Sequence, residues 1–308
     1  MLKRLLLALS DAAWARRIVA RAPIARHMAR RFVAGETLDD AVAAIRALNA
    51  SRMGATVDCL GEHVRSSADA IRAADGYLAA IDRLAGERLD ANVSLKLTQL
   101  GLDLDETVCL TQMRRILSRA GEHDMFVRID MESSRYTEQT LAICRALNRE
   151  FGRDRVGVVI QAYLHRSGQD LEALLAEGIR VRLCKGAYLE PPELASPRKS
   201  DVDANYVRLA RRLMQSAAQG LYHAIATHDQ RMIAAAIGEA TRLSLPKDRF
   251  EFQMLYGIRR SLQRQLVADG YRVRIYVPYG TEWYPYLMRR LAERPANFWF
   301  FLTQLIRR

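Results

Sequence analysis

Strand-like residues recur in eight short runs along this chain, each followed by a stretch long enough for a helix, and that alternation leaves few architectures open. The runs are 55–60 (ATVDCL), 93–97 (VSLKL), 126–131 (FVRIDM), 156–163 (VGVVIQAY), 180–184 (RVRLC), 222–227 (YHAIAT), 250–255 (FEFQML) and 273–277 (VRIYV). Eight such β and α pairs suit a closed (βα)8 barrel of about 250 residues. No repeat or low-complexity linker marks a second domain, so the expected organisation is a helical arm over 1–52 and a barrel over 53–308. The arm ends in GETLDDAVAAIRALN, where Thr37 and Asp40 have the spacing of a capping box ahead of Val42, Ile45 and Leu48.

Side chains alternate across a strand, which sorts each run into two faces. Val93, Leu95 and Leu97 oppose Ser94, Lys96 and Thr98, and Val127, Ile129 and Met131 oppose Arg128, Asp130 and Glu132. Val181 and Leu183 oppose Arg182, while Val273, Ile275 and Val277 oppose Arg274 and Tyr276. In a barrel wrapped by helices the apolar set packs outward and the polar set points into the lumen. Most barrel lumens hold branched aliphatic side chains. Lumenal Lys96, Asp130, Gln161 and Arg182 therefore mark either a site near the C-terminal ends of the strands or a set of internal salt bridges. A lumenal lysine is either a Schiff-base nucleophile or a fixed positive charge.

Composition narrows the function classes. The 47 Lys and Arg outnumber 35 Asp and Glu, a formal charge of +12, and the excess is uneven: the first 31 residues hold eight basic residues and a single acid, Asp11. Interleaved with Leu2, Leu5, Leu6, Leu9 and Trp14, this segment reads as a contact for an anionic membrane surface or as a capping helix with solvated arginines. The apolar run 5–9 is too short to span a bilayer. No zinc finger, RNP motif or GXXG loop points to nucleic acid. Cys59, Cys109, Cys144 and Cys184 are widely spaced, as expected of reduced thiols in a cytoplasmic protein, and the six histidines show no metal-ligand spacing. The 17 glycines form no GxGxxG, P-loop or GxSxG. Near the C-terminus YPYLMRRLAE places Tyr286, Arg289, Arg290 and Glu293 in one sector of a helix, an anion clamp or simply wetted surface.

The ordered series VSLKLTQLGL, VRIDMESS, VVIQAYL, VRLCKGAY, ATHD, EFQMLYG, RIYVPYG and YLMRRLAE resembles the motifs of proline dehydrogenase, from about Asp58 to Glu293. Nothing resembling an aldehyde dehydrogenase follows, as in the monofunctional bacterial form. The resemblance implies a (βα)8 barrel with FAD at the C-terminal ends of the strands. It also implies oxidation of L-proline to Δ1-pyrroline-5-carboxylate by hydride transfer from C5 to flavin N5, with electrons passed to a quinone-type acceptor. A peripheral position on the inner face of the cytoplasmic membrane would then give the basic arm a purpose.

Carried over residue by residue, the resemblance makes Lys96 the active-site lysine and Asp130 the carboxylate that arranges the site's charges. Gln161 and Arg182 correspond to residues that touch the isoalloxazine, where Arg182 stabilises negative charge on the reduced flavin. Lys185, Gly186 and Ala187 would border the cofactor, and Thr227 and His228 would contact it. Asp229 stands where many relatives have Asn, and Cys184 where Val is common; a carboxylate turned toward the FAD phosphates would weaken cofactor retention. Arg289 and Arg290 would hold the proline carboxylate, Glu293 would orient an arginine, and Tyr286 would help close the pocket. Leu183, Tyr188 and Tyr276 would pack on the pyrrolidine ring.

Overall fold

The computed structural model describes residues 29–61 and 64–293, except the side chains of 289 and 291–293. Eight parallel strands form a closed barrel in sequence order: β1 (Gly54–Cys59), β2 (Ala91–Leu95), β3 (Val127–Ile129), β4 (Val156–Gln161), β5 (Arg180–Cys184), β6 (His223–Ala226), β7 (Phe250–Leu255) and β8 (Arg272–Tyr279). Ala55 pairs with Ile275 and Val57 with Val277 where β1 meets β8, which closes the ring. All eight expected strands are present, with shifts at their ends. β2 stops at Leu95 because the chain turns through Lys96 into a 3-10 turn, Leu97–Leu100, and β4 stops at Gln161, short of Tyr163.

The outward faces form one continuous core with the surrounding helices. Leu95, Ile129, Val158, Leu183, Phe252 and Ile275 from the strands pack with Ile45, Tyr77, Met113, Leu147 and Leu213. Burying a side chain of that size contributes roughly 1.5–3 kcal/mol, so the outer shell supplies most of the cohesion. The lumen is polar. Gly157 makes room in it for Arg128, since a Cβ there would lie 2.8 Å from Arg128 Nη1 and 2.3 Å from the Arg180 carbonyl.

Helix α1 (Leu38–Ala50) departs from a simple arm. Its expected capping box forms: the Asp40 N–H donates to Thr37 Oγ1 at 3.2 Å and the Thr37 N–H to Asp40 Oδ2 at 3.0 Å. Ala41, Val42 and Ile45 are fully buried, and the helix packs on β1 and β8, in the outer position that a helix following β8 would otherwise take. Just before it, the Ala34 N–H donates to the Pro278 carbonyl and the Gly280 N–H to the Gly35 carbonyl. The helix that does follow β8 (Trp283–Glu293) begins at the C-terminal rim, its Trp283 indole N–H donating to Glu36 Oε1 at 3.2 Å. The intervening helices run in order from α2 (Ser67–Gly86) through α3 (Glu106–Glu122), α4 (Thr137–Phe151), α5 (Ser167–Ala176), α6 (Lys199–Ala218), α7 (Gln230–Arg242) and α8 (Arg260–Ala268), which makes the last one α9. Of the basic N-terminal segment, residues 1–28 lie outside the described residues.

Candidate active site

Period-two alternation brings Ser94 of β2, Asp130 just after β3, Arg182 of β5, Gln253 of β7 and Tyr276 of β8 to a common centre. Asp130 is the hub. Its Oδ1 accepts from Ser94 Oγ at 2.6 Å and pairs with Arg182 Nη2, and its Oδ2 accepts from Tyr276 OH at 2.8 Å. Arg182 Nη2 also donates to Ser94 Oγ at 2.9 Å and Nη1 to Gln253 Oε1 at 3.1 Å, while its guanidinium lies 5.3 Å from the Tyr276 ring centre. Burial first, and the Asp130 carboxylate second, push the Tyr276 hydroxyl far above its usual range, so it stays a donor. A buried guanidinium is tolerated here because a carboxylate and two neutral oxygens surround it.

Lys96, where β2 gives way to the turn, has Nζ 3.5 Å from Asp58 Oδ2 of β1, both side chains largely buried. Gln161, at the end of β4, donates through Nε2 to the carbonyls of Met131 and Glu132 at 2.9 and 3.1 Å. Its Oε1 is buried and has no hydrogen-bond partner among the described residues. An acceptor of this kind, costly to bury unmet, suits a ligand with an N–H edge.

Beyond the strand ends lies a second polar group. Lys185 Nζ donates to Asp203 Oδ1 at 2.5 Å and to Asp229 Oδ2 at 3.0 Å, and Asp203 also meets Lys199 and Arg231. Three cations thus face two carboxylates. Asp229 caps α7, its Oδ1 accepting from the Arg231 N–H at 3.0 Å. Burial would raise this carboxyl, but Arg231 and Lys185 outweigh it and hold the group well below the usual carboxylate range. The Asp at this position is therefore neutralised locally. Gly186 has φ +104°, and a Cβ there would fall 2.1 Å from Tyr163 Cδ1. Thr227 is buried and accepts from the Asp229 N–H; His228 Nε2 accepts the Leu255 N–H at 2.9 Å, which assigns its proton to Nδ1 in the neutral ring. Ala187 and Tyr188 are half-buried in the loop after β5.

One expected pocket residue is not in the pocket. Leu183 has no exposed surface and packs in the helix-facing core, because its neighbour Arg182 takes the lumenal position and adjacent residues of a strand point opposite ways. Leu183 is corrected to a core residue. On α9, Tyr286 is buried and the Arg290 guanidinium lies 5.2 Å from its ring centre; the side chains of Arg289 and Glu293 lie outside what is described. Asp58, Glu251 and Gln253 were missed as site neighbours, although the alternation in ATVDCL and FEFQML places all three on lumenal faces.

Comparison with known proteins adds an independent line. The family model described as Proline dehydrogenase matches residues 41–301. The chain is 44% identical over 280 residues to Proline dehydrogenase 1 of Bacillus subtilis strain 168, covering 91% of each chain. It is 42% identical over 284 residues to Proline dehydrogenase of Deinococcus radiodurans, again covering 91% of each. Among solved structures, proline utilization A from Bdellovibrio bacteriovorus, inactivated by N-propargylglycine, matches 89% of this chain with a TM-score of 0.83 and 30% identity. The chain spans 33% of that longer protein.

Proposed function

Since the chain belongs to the proline dehydrogenase family and is therefore an oxidoreductase of the first step of proline catabolism, we propose that it oxidises L-proline to Δ1-pyrroline-5-carboxylate with bound FAD. The observation that carries this reading is the lumenal cluster of Asp130, Arg182, Ser94 and Tyr276 beside the unmet Gln161 Oε1. The donor set fits a flavin. Gln161 offers an acceptor, Arg182 a fixed positive charge, Lys185, Gly186 and Ala187 a loop edge, and Thr227 and His228 the start of α7. FAD held there would supply the two-electron oxidant for a hydride leaving C5, with C5 and nitrogen becoming doubly bonded and the amine proton lost.

The protein's own groups do the placing. Arg290, with Arg289, is assigned to the proline carboxylate, and Tyr286 beneath Arg290 limits where that guanidinium can turn. Glu293 is assigned to orient this pair. Tyr276, tied to Asp130, presents its ring as one wall for the pyrrolidine, with Tyr188 at the rim. Lys96 beside Asp58 reads as a fixed positive charge, since an ammonium with a carboxylate partner suits that role better than a neutral nucleophile would. Holding substrate and oxidant in line is the main catalytic contribution of such a site. Electrons are assigned onward to a quinone-type acceptor, with the basic segment 1–31 as a peripheral membrane contact; among the described residues no helix is long and apolar enough to cross a membrane.

The test is spectroscopic. Purified protein should show flavin absorption in the visible blue, and L-proline added without oxygen should bleach it. A flavin-loaded protein that proline leaves unbleached would overturn the assignment.

A further inference from the structure

The lumen continues below Arg182 in a way the reaction itself does not require. Gln253 is buried and sits one inward position above Glu251 on β7. Its Nε2 donates to Glu251 Oε1 at 2.6 Å, and because a carboxylate only accepts, that bond determines which end of the carboxamide faces Arg182. Glu251 is itself clamped: Oε2 accepts from Arg274 Nε at 3.0 Å and from Tyr222 OH at 3.2 Å. Arg274 is anchored in turn to the Ala55 carbonyl at 2.8 Å and to Asp90 Oδ1 at 3.1 Å. A hydrogen-bonded column therefore rises from the N-terminal end of the barrel and ends on Arg182 Nη1.

We propose that Gln253 is a positioning residue for the reaction: braced by Glu251, it holds the Arg182 guanidinium in the one orientation that serves the oxidant. The proposal rests on the flavin reading above. Asp130 and Ser94 engage only the Nη2 side of the guanidinium, so without an acceptor on Nη1 the group can pivot about those contacts. A pivoted charge stabilises electron density at the wrong place. The cost then falls on the electron-accepting step and not on the carboxylate contact, which is assigned to α9.

Gln253→Met, similar in volume but without acceptor or donor, removes the brace. Bleaching of the flavin by proline should slow at least about tenfold, the effect of one lost charge-assisted hydrogen bond, while affinity for a carboxylate-bearing proline analogue stays within about threefold. The midpoint potential of the bound flavin should fall, and in the apoprotein the unfolding effects of Gln253→Met and Arg182→Met should be non-additive, since the two share one bond. Gln253→Glu should recover most of the rate: a carboxyl pair sharing one proton with Glu251 reproduces both hydrogen bonds. Gln253→Met bleaching at the wild-type rate with the wild-type potential, or Gln253→Glu as slow as Arg182→Met, overturns the proposal. If Gln253→Met does not fold, Gln253→Glu decides alone by the same comparison. Failure of wild-type protein to bleach would instead remove the flavin reading, whatever Gln253 does.

Discussion

Replacing Asp130 by Asn keeps the shape of the hub and deletes its charge. The carboxamide oxygen can still accept from Ser94 and Arg182, and its nitrogen can face Tyr276 OH, which turns to accept. What is lost is the counter-charge of Arg182, whose side chain is 7% exposed. Removing one partner of a buried ion pair costs about 3–5 kcal/mol, and the retained hydrogen bonds put Asp130→Asn at the lower end, about 3 kcal/mol. For a chain of 308 residues that is a fall in Tm of about 4–5 °C, measurable by circular dichroism. The double variant Asp130→Leu, Arg182→Met removes both charges together and should recover much of the stability without recovering bleaching by proline. A shift below about 2 °C for Asp130→Asn would refute the reasoning that this pair is desolvated. Recovery of both stability and bleaching in the double variant would reduce the lumenal charges to a structural role.

Arg290→Met should lower kcat/KM for proline at least about tenfold, the loss of a charge-assisted carboxylate contact, and leave flavin content near normal, as steady-state kinetics and absorbance would report. Asp229→Asn keeps the oxygen that caps α7 but takes a carboxylate from Lys185, so FAD should be retained more tightly on dilution, read by fluorescence of released flavin. His223 should give the fold an acid-sensitive step. Burial first, then Arg128, Arg180 and Arg212, lower its pKa from 6.5 to about 3, and Nδ1 accepts the Val181 N–H at 3.1 Å. The unfolded chain therefore binds the extra proton between those values. Stability from this group is fully present above pH 6.5 and lost as pH falls toward 3, on the order of 5 kcal/mol over the window. His223→Gln should flatten that part of the stability profile in urea titrations across pH.

The barrel was legible because its outer face is repetitive: β5 and β7 begin and end where the apolar and polar alternation says they should. The ends of β2 and β4 were not: Lys96 opens a turn closed by its own bonds, such as the Gln99 N–H to the Lys96 carbonyl, and after Ala162 the Tyr163 N–H bonds the Lys185 carbonyl in the loop after β5. Lumenal Asp130, Arg182 and Tyr276 could be read from period two alone, and the same rule applied to Glu251, Gln253 and Asp58 would have placed them too. Leu183 was misplaced where resemblance was followed against that rule. The partners of Lys185 were beyond reach of pattern, because Asp203 and Asp229 arrive from α6 and the start of α7, and no local spacing encodes their meeting.

The seating of α1 between β1 and β8 has a consequence for the order in which the chain leaves the ribosome. Its neighbours Ala55 and Arg274, joined by a hydrogen bond across the closing seam, are 219 positions apart. At about 5–20 residues per second, β8 emerges roughly 10–40 s after β1. Throughout that interval the apolar side of α1, with Ala41, Val42 and Ile45, has only half of its groove, and β1 presents an unpaired edge. The first of the described barrel helices to be synthesised is thus among the last to be fully seated.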